Sequence, residues 1–197
     1  MHIPLFEYPS YWYNLSDWEF KKKILLKRIN KQKFVRQPYQ DFLTDRQTNN
    51  NVYIKFCEDF LRDELSQFCE EAKVSCRMSD AWAVKYEKGD HQTVHNHGGW
   101  GFSGILYVEY DPKVHDPSWF VAPWQDPRTD RTKLNKPHNV NEGTLIIFPS
   151  SCLHYAPPNQ VNKMRMILSF DLLPMKSDQS FVGVEPTIRT ADNVGNK

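Results

Sequence analysis

Short runs of β-prone residues, separated by turn residues, dominate this chain from Ala81 onward. Glycine, proline, asparagine and aspartate separate the runs, and these residues favour turns between strands. The runs are AWAVKY (81–86), SGILYVEY (103–110), SWFVA (118–122), TLIIF (144–148) and RMILSFDL (165–172). Because no helical repeat lies between them, they predict antiparallel strands in a β-sandwich or jelly roll.

The first 80 residues have a helical pattern instead. Ser16 followed by Glu19 is the spacing of a capping box and predicts a helix from there to about Asn30. Apolar residues recur at three- and four-residue steps from Val52 to Ala72, which predicts an amphipathic helix that packs on something larger. We therefore expect a mainly β fold with N-terminal helices that support one face of a jelly roll.

The length and composition predict a single domain. The chain has 197 residues, of which 40% are hydrophobic and 14% aromatic, enough to fill one core. We expect residues 1–80 to form a helical support, residues 81–172 the jelly-roll core and residues 173–197 a C-terminal extension.

Charge and cysteine content narrow the function classes. With 25 Lys and Arg against 24 Asp and Glu, the chain lacks the broad basic surface of a nucleic-acid-binding domain. No run approaches the ~20 apolar residues of a membrane span, and residues 1–14 do not resemble a secretory signal. The four cysteines show no metal-binding or disulfide spacing. These features predict a cytoplasmic protein with no membrane partner.

Three of the seven histidines crowd into the segment GDHQTVHNHGG, at His91, His95 and His97. Residues two apart in an extended chain point to the same side, so His95 and His97 can chelate one metal ion. His154, 57 positions after His97 and just beyond the run TLIIF, is the best candidate for a closing ligand. Imidazole suits iron, zinc, copper and nickel, so the histidines alone do not select the metal.

Arg165 opens an otherwise apolar run, eleven positions after His154. If its side chain points into the sandwich, the buried guanidinium needs a carboxylate partner, and a bound dicarboxylate would satisfy it. The alternative is that Arg165 lies at the edge of the strand and meets water or a surface aspartate.

These elements, taken in order, resemble the core of the 2-oxoglutarate/Fe(II)-dependent oxygenases, most closely a group from bacteria and tailed bacteriophages that is related to the prolyl hydroxylases. The resemblance covers roughly residues 81–172. It rests on Tyr86-Glu87-Lys88-Gly89, His95-Asn96-His97, Ser103-Gly104-Ile105-Leu106-Tyr107-Val108, Gln125-Asp126-Pro127-Arg128, Gly143 to Ser150 with His154, and Arg165 to Phe170.

The resemblance implies a double-stranded β-helix that uses Fe(II), 2-oxoglutarate and O₂, in the host cytoplasm if the chain is phage-encoded. It further implies that His95, His97 and His154 hold the iron. Arg165 would pair with the distal carboxylate of 2-oxoglutarate, and Tyr107 would supply a phenolic hydrogen bond. His97 stands where the prolyl-hydroxylase pattern has aspartate, so either His97 is a ligand or a carboxylate enters from elsewhere.

The function that this reading predicts is a dioxygenase that couples oxidative decarboxylation of 2-oxoglutarate to hydroxylation of a substrate. That substrate could be a protein side chain, a nucleobase or a small metabolite. Two rivals remain: a zinc hydro-lyase or hydrolase with a three-histidine site, and a non-catalytic cupin-like module that binds a metal or another ligand. A buried Arg165 favours the oxygenase, since a zinc-hydroxide site needs no cation facing the metal.

Overall fold

This computed structural model describes residues 9–36 and 41–175 of the chain. The helices are α1 (Trp18–Ile29), α2 (Ile54–Phe60) and α3 (Arg62–Ala72). The strands are β1 (Tyr11–Asn14), β2 (Leu43–Thr44), β3 (Cys76–Tyr86), β4 (Gln92–His95), β5 (Phe102–Glu109), β6 (Trp119–Asp126), β7 (Arg131–Asn135), β8 (Thr144–Pro149), β9 (Leu153–Ala156) and β10 (Arg165–Pro174).

The strands form two antiparallel sheets. The larger sheet has the order β1-β8-β5-β10-β3-β2, and the smaller has the order β4-β9-β6-β7. Strands that are distant in sequence lie side by side, as β10 does between β3 and β5. The predicted mainly β jelly roll is therefore confirmed.

The large sheet separates two hydrophobic cores because its side chains alternate between its faces. One face packs against the small sheet and carries Trp82, Val84, Tyr86, Ile105, Tyr107, Ile146, Phe148 and Ile167. The opposite face packs against the helices, and Leu106, Leu145, Leu168 and Phe170 meet Leu25, Ile29, Cys57 and Phe68 there. Full burial of each large apolar side chain contributes roughly 1.5–3 kcal/mol before entropy is counted. The helices thus support one face of the sheet, as predicted.

The first helix begins differently from the prediction. Asp17, with a left-handed φ of 52°, precedes Trp18, and no side chain caps the first turn. The N–H of Leu15 donates to the carbonyl of Gly143 at 3.0 Å, which holds this segment against the sheet before the chain turns at Asp17. The capping box of Ser16 and Glu19 was therefore a wrong prediction, whereas the end of α1 at Ile29 agrees with the expected end.

The second predicted helix is divided in two. The apolar pattern from Val52 to Ala72 is continuous, but the backbone of Leu61 departs from helical geometry, with φ −106° and ψ 19°. Leu61 is fully buried, so the break places an apolar side chain in the core between α2 and α3. Both helices therefore still present their apolar residues to the sheet.

The five predicted strands correspond to β3, β5, β6, β8 and β10. The first 80 residues also contribute β1 and β2 to the large sheet, so they are not helical throughout. Most of the predicted C-terminal extension, residues 176–197, lies outside the described residues. None of the described helices is long and apolar enough to cross a membrane.

Candidate metal centre

The structure brings His95, His97 and His154 together between the two sheets. His95 ends β4 and lies opposite His154 of β9 in their antiparallel pairing, while His97 follows two residues later. One ligand atom from each histidine lies within 4.8 Å of the others, a spacing that one metal ion can bridge. The ring centres are 4.3 Å apart for His95 and His154, and 5.2 Å apart for His97 and His154.

Each of the three imidazoles uses Nδ1 for a hydrogen bond within the protein. Nδ1 of His95 donates to the carbonyl of Thr93 at 2.8 Å, and Nδ1 of His154 donates to the carbonyl of Cys152 at 3.0 Å. Nδ1 of His97 lies 2.7 Å from Oδ1 of Asp171. With the proton on Nδ1 in each ring, the lone pair of Nε2 is available to a metal.

Burial keeps two of these imidazoles neutral. It lowers the pKa of His154 to about 3, with a smaller lowering from the proximity of the His95 imidazole. It also lowers the pKa of His95. Because a neutral imidazole is the form that binds a metal, this environment fits a cation coordinated by nitrogen.

Asp171 is a residue of the site that the sequence analysis did not identify. It lies near the end of β10, at the opposite end of the strand from Arg165. The sequence did contain an indication, since Arg165 and Asp171 are an even number of residues apart and so lie on the same face of one strand. Asp171 bonds to Nδ1 of His97, on the side of the ring away from the candidate metal position. A carboxylate is therefore present beside the histidines, but it contacts a histidine and not the position of the metal.

Gln92 also belongs to the site and was not predicted. Its Nε2 lies 3.1 Å from Nε2 of His95, and its Oε1 accepts a hydrogen bond of 3.0 Å from the hydroxyl of Tyr86. The amide therefore lies at the metal-facing nitrogen of His95. A metal bound there would take the lone pair of His95 and leave the amide N–H of Gln92 free to donate elsewhere.

Arg165 is buried inside the jelly roll, with only 2% of its surface exposed, so the strand-edge alternative is wrong. Nη1 donates to the carbonyl of Asp116 at 2.5 Å and Nη2 to the carbonyl of Pro157 at 3.1 Å. The guanidinium also lies over the ring of Tyr86, at 4.3 Å from its centre. Nε is buried and has no hydrogen-bond partner among the described residues.

A buried cation without a counter-ion is costly, since several kcal/mol are lost on removal from water. Among residues 9–36 and 41–175, no carboxylate forms an ion pair with Arg165. The open Nε and the missing counter-ion fit an anionic ligand such as the distal carboxylate of 2-oxoglutarate. The residues present therefore fit both Fe(II) and its co-substrate.

Tyr107 is fully buried in the same core as Tyr86. Its hydroxyl oxygen accepts a hydrogen bond of 3.0 Å from the N–H of Ser118. The hydroxyl proton remains to be donated. Burial raises the pKa of Tyr107, while the hydrogen bond with Ser118 and then the nearby charge of Arg165 act to lower it, which favours the protonated phenol.

A cavity of about 360 Å³ opens beside the histidines. Its wall includes Arg46, which was not predicted and whose guanidinium lies 3.9 Å from the ring centre of Trp82. The cavity is lined by Phe42, Thr44, Arg46, Gln47, Trp82, Gln92, His95, Asn96, His97 and Asp171. The candidate metal position is thus accessible to a small molecule or an extended side chain.

Comparison with known proteins supports this chemistry. Residues 80–171 match the protein family described as "Putative 2OG-Fe(II) oxygenase". The match covers the strands and loops that carry all three histidines, Arg165 and Asp171. No curated protein matches the sequence.

Several solved structures share the fold. An oxidoreductase of the 2OG-Fe(II) oxygenase family from Burkholderia pseudomallei has a TM-score of 0.63 and 12% identity, with 83% of this chain and 84% of that chain covered. HygX from Streptomyces hygroscopicus, solved with nickel, 2-oxoglutarate and hygromycin B, has a TM-score of 0.61 and 10% identity, with coverages of 84% and 83%.

A prolyl-4-hydroxylase from Pseudomonas putida has a TM-score of 0.54 and 12% identity, with coverages of 85% and 94%. At these identities the likeness to the solved structures shows the double-stranded β-helix fold, and the family assignment rests on the matched region, residues 80–171. The predicted fold, family and cofactors are therefore confirmed. Residues 80–171, just under half of the chain, match the 2-oxoglutarate/Fe(II)-dependent oxygenases, a family of enzymes that use Fe(II), 2-oxoglutarate and O₂.

Proposed function

We propose that this oxygenase couples oxidative decarboxylation of 2-oxoglutarate to hydroxylation of its substrate, with iron bound by Nε2 of His95, His97 and His154. The observation that carries the proposal is the common arrangement of the three imidazoles. Each bonds a protein oxygen through Nδ1, and the ligand atoms of all three lie within 4.8 Å of one another. Such second hydrogen bonds fix the tautomer and the orientation of metal-binding histidines in general.

Arg165 is the proposed anchor of 2-oxoglutarate. Its guanidinium is held in place by the carbonyls of Asp116 and Pro157 and by the ring of Tyr86, so little side-chain entropy is lost when a carboxylate binds. The unpartnered Nε and the remaining Nη protons can donate to that carboxylate. The hydroxyl of Tyr107 is proposed as a further donor.

Anchoring one end of a dicarboxylate determines which end can reach the metal. When bound, Fe(II) and 2-oxoglutarate supply the activation of O₂ for oxidation of the substrate. The contribution of the protein is positional: Arg165 orients the co-substrate, the histidines leave coordination positions open, and the buried inner face excludes water. The cavity lined by Arg46 and Trp82 is the proposed place of the substrate.

The substrate classes predicted from the sequence remain proposals. Among the similar structures, one is a prolyl-4-hydroxylase and another holds the small molecule hygromycin B. A protein side chain, a nucleobase and a small metabolite are each compatible with a cavity of about 360 Å³.

One experiment separates the proposal from the zinc enzyme and the passive metal-binding module. Metal-free protein is titrated anaerobically with Fe(II) and then with 2-oxoglutarate, and visible absorption is recorded. We expect a metal-to-ligand charge-transfer band that appears only when both are present, and succinate after O₂ is admitted. Absence of the band with iron bound would contradict co-substrate chelation. Hydration or hydrolysis activity with Zn(II) alone would favour the zinc enzyme.

A further inference from the structure

The partner of His97 differs in charge from the partners of the other two histidines. His95 and His154 each donate from Nδ1 to a backbone carbonyl two residues earlier in the chain. His97 bonds instead to the carboxylate of Asp171, which lies 74 positions away in sequence. Within the described part of the chain, only the His97 ring therefore has an anionic hydrogen-bond partner at Nδ1.

Asp171 is held firmly in this position. Its Oδ1 accepts a hydrogen bond of 2.8 Å from Oγ of Ser103, in addition to the 2.7 Å contact with His97. Its Oδ2 lies 3.7 Å from Nη2 of Arg46. Only 16% of the Asp171 side chain is exposed, so solvent screens its charge little.

His97 is equally well fixed. Its backbone N–H donates to the carbonyl of Ser150 at 2.9 Å, and its ring lies 5.5 Å from the ring of Trp82. Ser150 in turn shares a hydrogen bond of 2.9 Å with Ser103. The carboxylate and the imidazole are therefore positioned by Ser103 and Ser150, which are hydrogen-bonded to each other.

We propose that Asp171 is a positioning residue that supplies, through His97, the negative charge that a three-histidine site lacks. The inference rests on the proposed metal site. A carboxylate hydrogen-bonded to the far nitrogen of a ligating histidine makes that imidazole a stronger donor, and loss of such a partner typically lowers metal affinity by about 10- to 100-fold. In most non-haem iron sites of this kind a carboxylate ligand carries that charge on the metal itself.

Asp80 provides a matched control. It lies opposite Asp171 in the pairing of β3 with β10. Its Oδ2 accepts from Nε of Arg46 at 2.8 Å, but no hydrogen bond joins it to the described histidines. Asp80→Asn thus removes a carboxylate near the cavity and disturbs Arg46 without touching His97.

The test measures Co(II) affinity by competition with a chromophoric chelator, using metal-free wild-type protein and the variants Asp171→Asn, Asp80→Asn and His97→Ala. In the Asp171→Asn variant the side-chain amide oxygen can still accept from Nδ1 of His97, but the side chain carries no charge. We expect Asp171→Asn to weaken binding by about 10- to 100-fold and Asp80→Asn by less than about threefold. The visible Co(II) spectrum at saturation should keep the intensity of the wild type, because the same three nitrogens bind.

Equal affinity in wild type and Asp171→Asn would overturn the inference, and so would equal losses in Asp171→Asn and Asp80→Asn. Thermal unfolding verifies that each variant is folded, and the neutral, smaller Asp171→Ser replaces Asp171→Asn if that variant does not fold. The proposed metal site fails separately, if the wild type binds no Co(II) or if His97→Ala binds it as tightly as the wild type does.

Discussion

The hydroxyl of Tyr86 donates a hydrogen bond of 3.0 Å to Oε1 of Gln92, and this contact links the two halves of the site. On one side, the ring of Tyr86 lies under the guanidinium of Arg165, at 4.3 Å. On the other, the amide of Gln92 reaches Nε2 of His95 at 3.1 Å. The proposed co-substrate anchor and the proposed metal ligands are therefore positioned by one continuous set of contacts.

The first prediction concerns His154. Replacing His154 by Ala should abolish stoichiometric iron binding, because His95 and His97 alone form a much weaker chelate. Metal content of the purified, iron-loaded variant measures this. His91→Ala is the matched control, since His91 lies in the same segment but outside the histidine group, and it should retain iron. Unchanged iron in His154→Ala would remove that residue from the site.

The second prediction concerns the position that departs from the prolyl-hydroxylase pattern. His97→Asp should retain iron, because two histidines and one carboxylate form the set that non-haem Fe(II) oxygenases commonly use. His97→Ala should lose it. The two variants are compared by their iron content and by the charge-transfer band that each forms with 2-oxoglutarate. Loss of iron from the Asp variant together with retention in the Ala variant would show that His97 is not a ligand.

The third prediction tests whether Arg165 or Arg46 anchors 2-oxoglutarate. Removing one partner of a buried charge pair costs roughly 2–5 kcal/mol. Arg165→Met should therefore weaken 2-oxoglutarate binding by about 30- to 1,000-fold or more, at about 1.4 kcal/mol per tenfold. Iron affinity should barely change. Calorimetric titration of the Mn(II)-loaded protein measures the co-substrate affinity.

Arg46→Met is the comparison for that experiment, because Arg46 lies in the wall of the cavity beside the histidines. It should bind 2-oxoglutarate nearly as the wild type does. A large loss in Arg46→Met with none in Arg165→Met would assign the anchor to Arg46 instead. Arg165→Lys keeps the charge but not the planar guanidinium. Its affinity for 2-oxoglutarate should therefore lie between those of the wild type and Arg165→Met.

The sequence predicted the strands whose side chains are buried on both faces of the large sheet. β5, β8 and β10 read as nearly continuous apolar runs because one face meets the helices and the other meets the small sheet. Two of the strands that were not predicted, β4 and β7, have largely exposed residues and carry no apolar pattern. Their pairing depends on partners that are distant in sequence, such as β9 for β4.

The same division holds for the site. His95, His97 and Arg165 could be found because their residue types are unusual in their local context. Asp171 and Gln92 are ordinary polar residues in the sequence, and their contacts with His97 and His95 follow only from the fold. Likewise, the sequence does not show that Arg165 lacks a counter-ion among the described residues. Only the structure shows that the neighbours of its guanidinium are backbone carbonyls and a tyrosine ring.

The fourth prediction is a loss of stability in acid that involves His115. This histidine is buried, its Nδ1 accepts from the N–H of Asp111 at 3.0 Å, and its Nε2 donates to the carbonyl of Lys163 at 3.0 Å. Burial lowers its pKa. The unfolded chain therefore takes up a proton first, and the contribution of His115 to stability falls as the pH drops below about 6.5.

Urea unfolding at pH 7 and pH 5 measures this contribution. His115→Gln should lose less stability between those values than the wild type, because glutamine does not titrate. The exposed His138 is the control, and His138→Gln should follow the wild type. Equal acid sensitivity of His115→Gln and wild type would contradict the prediction.

The last prediction concerns the close approach of Gly104 to Phe170, which lie opposite each other in the pairing of β5 with β10. A Cβ at Gly104 would lie 2.1 Å from the nearest atom of the Phe170 ring, so an alanine there must displace a fully buried ring. Overpacking of this kind typically costs about 1–3 kcal/mol. Gly104→Ala should lower the urea midpoint with an unchanged m-value.

Gly99→Ala is the control, because a Cβ at Gly99 would meet nothing within 4 Å, and its free energy of unfolding should stay within about 0.5 kcal/mol of that of the wild type. Phe170→Leu in the Gly104→Ala background should cost less than the sum of the two single changes, because the smaller side chain relieves the contact. Additive losses would show that the phenyl ring is not what makes glycine necessary at this position.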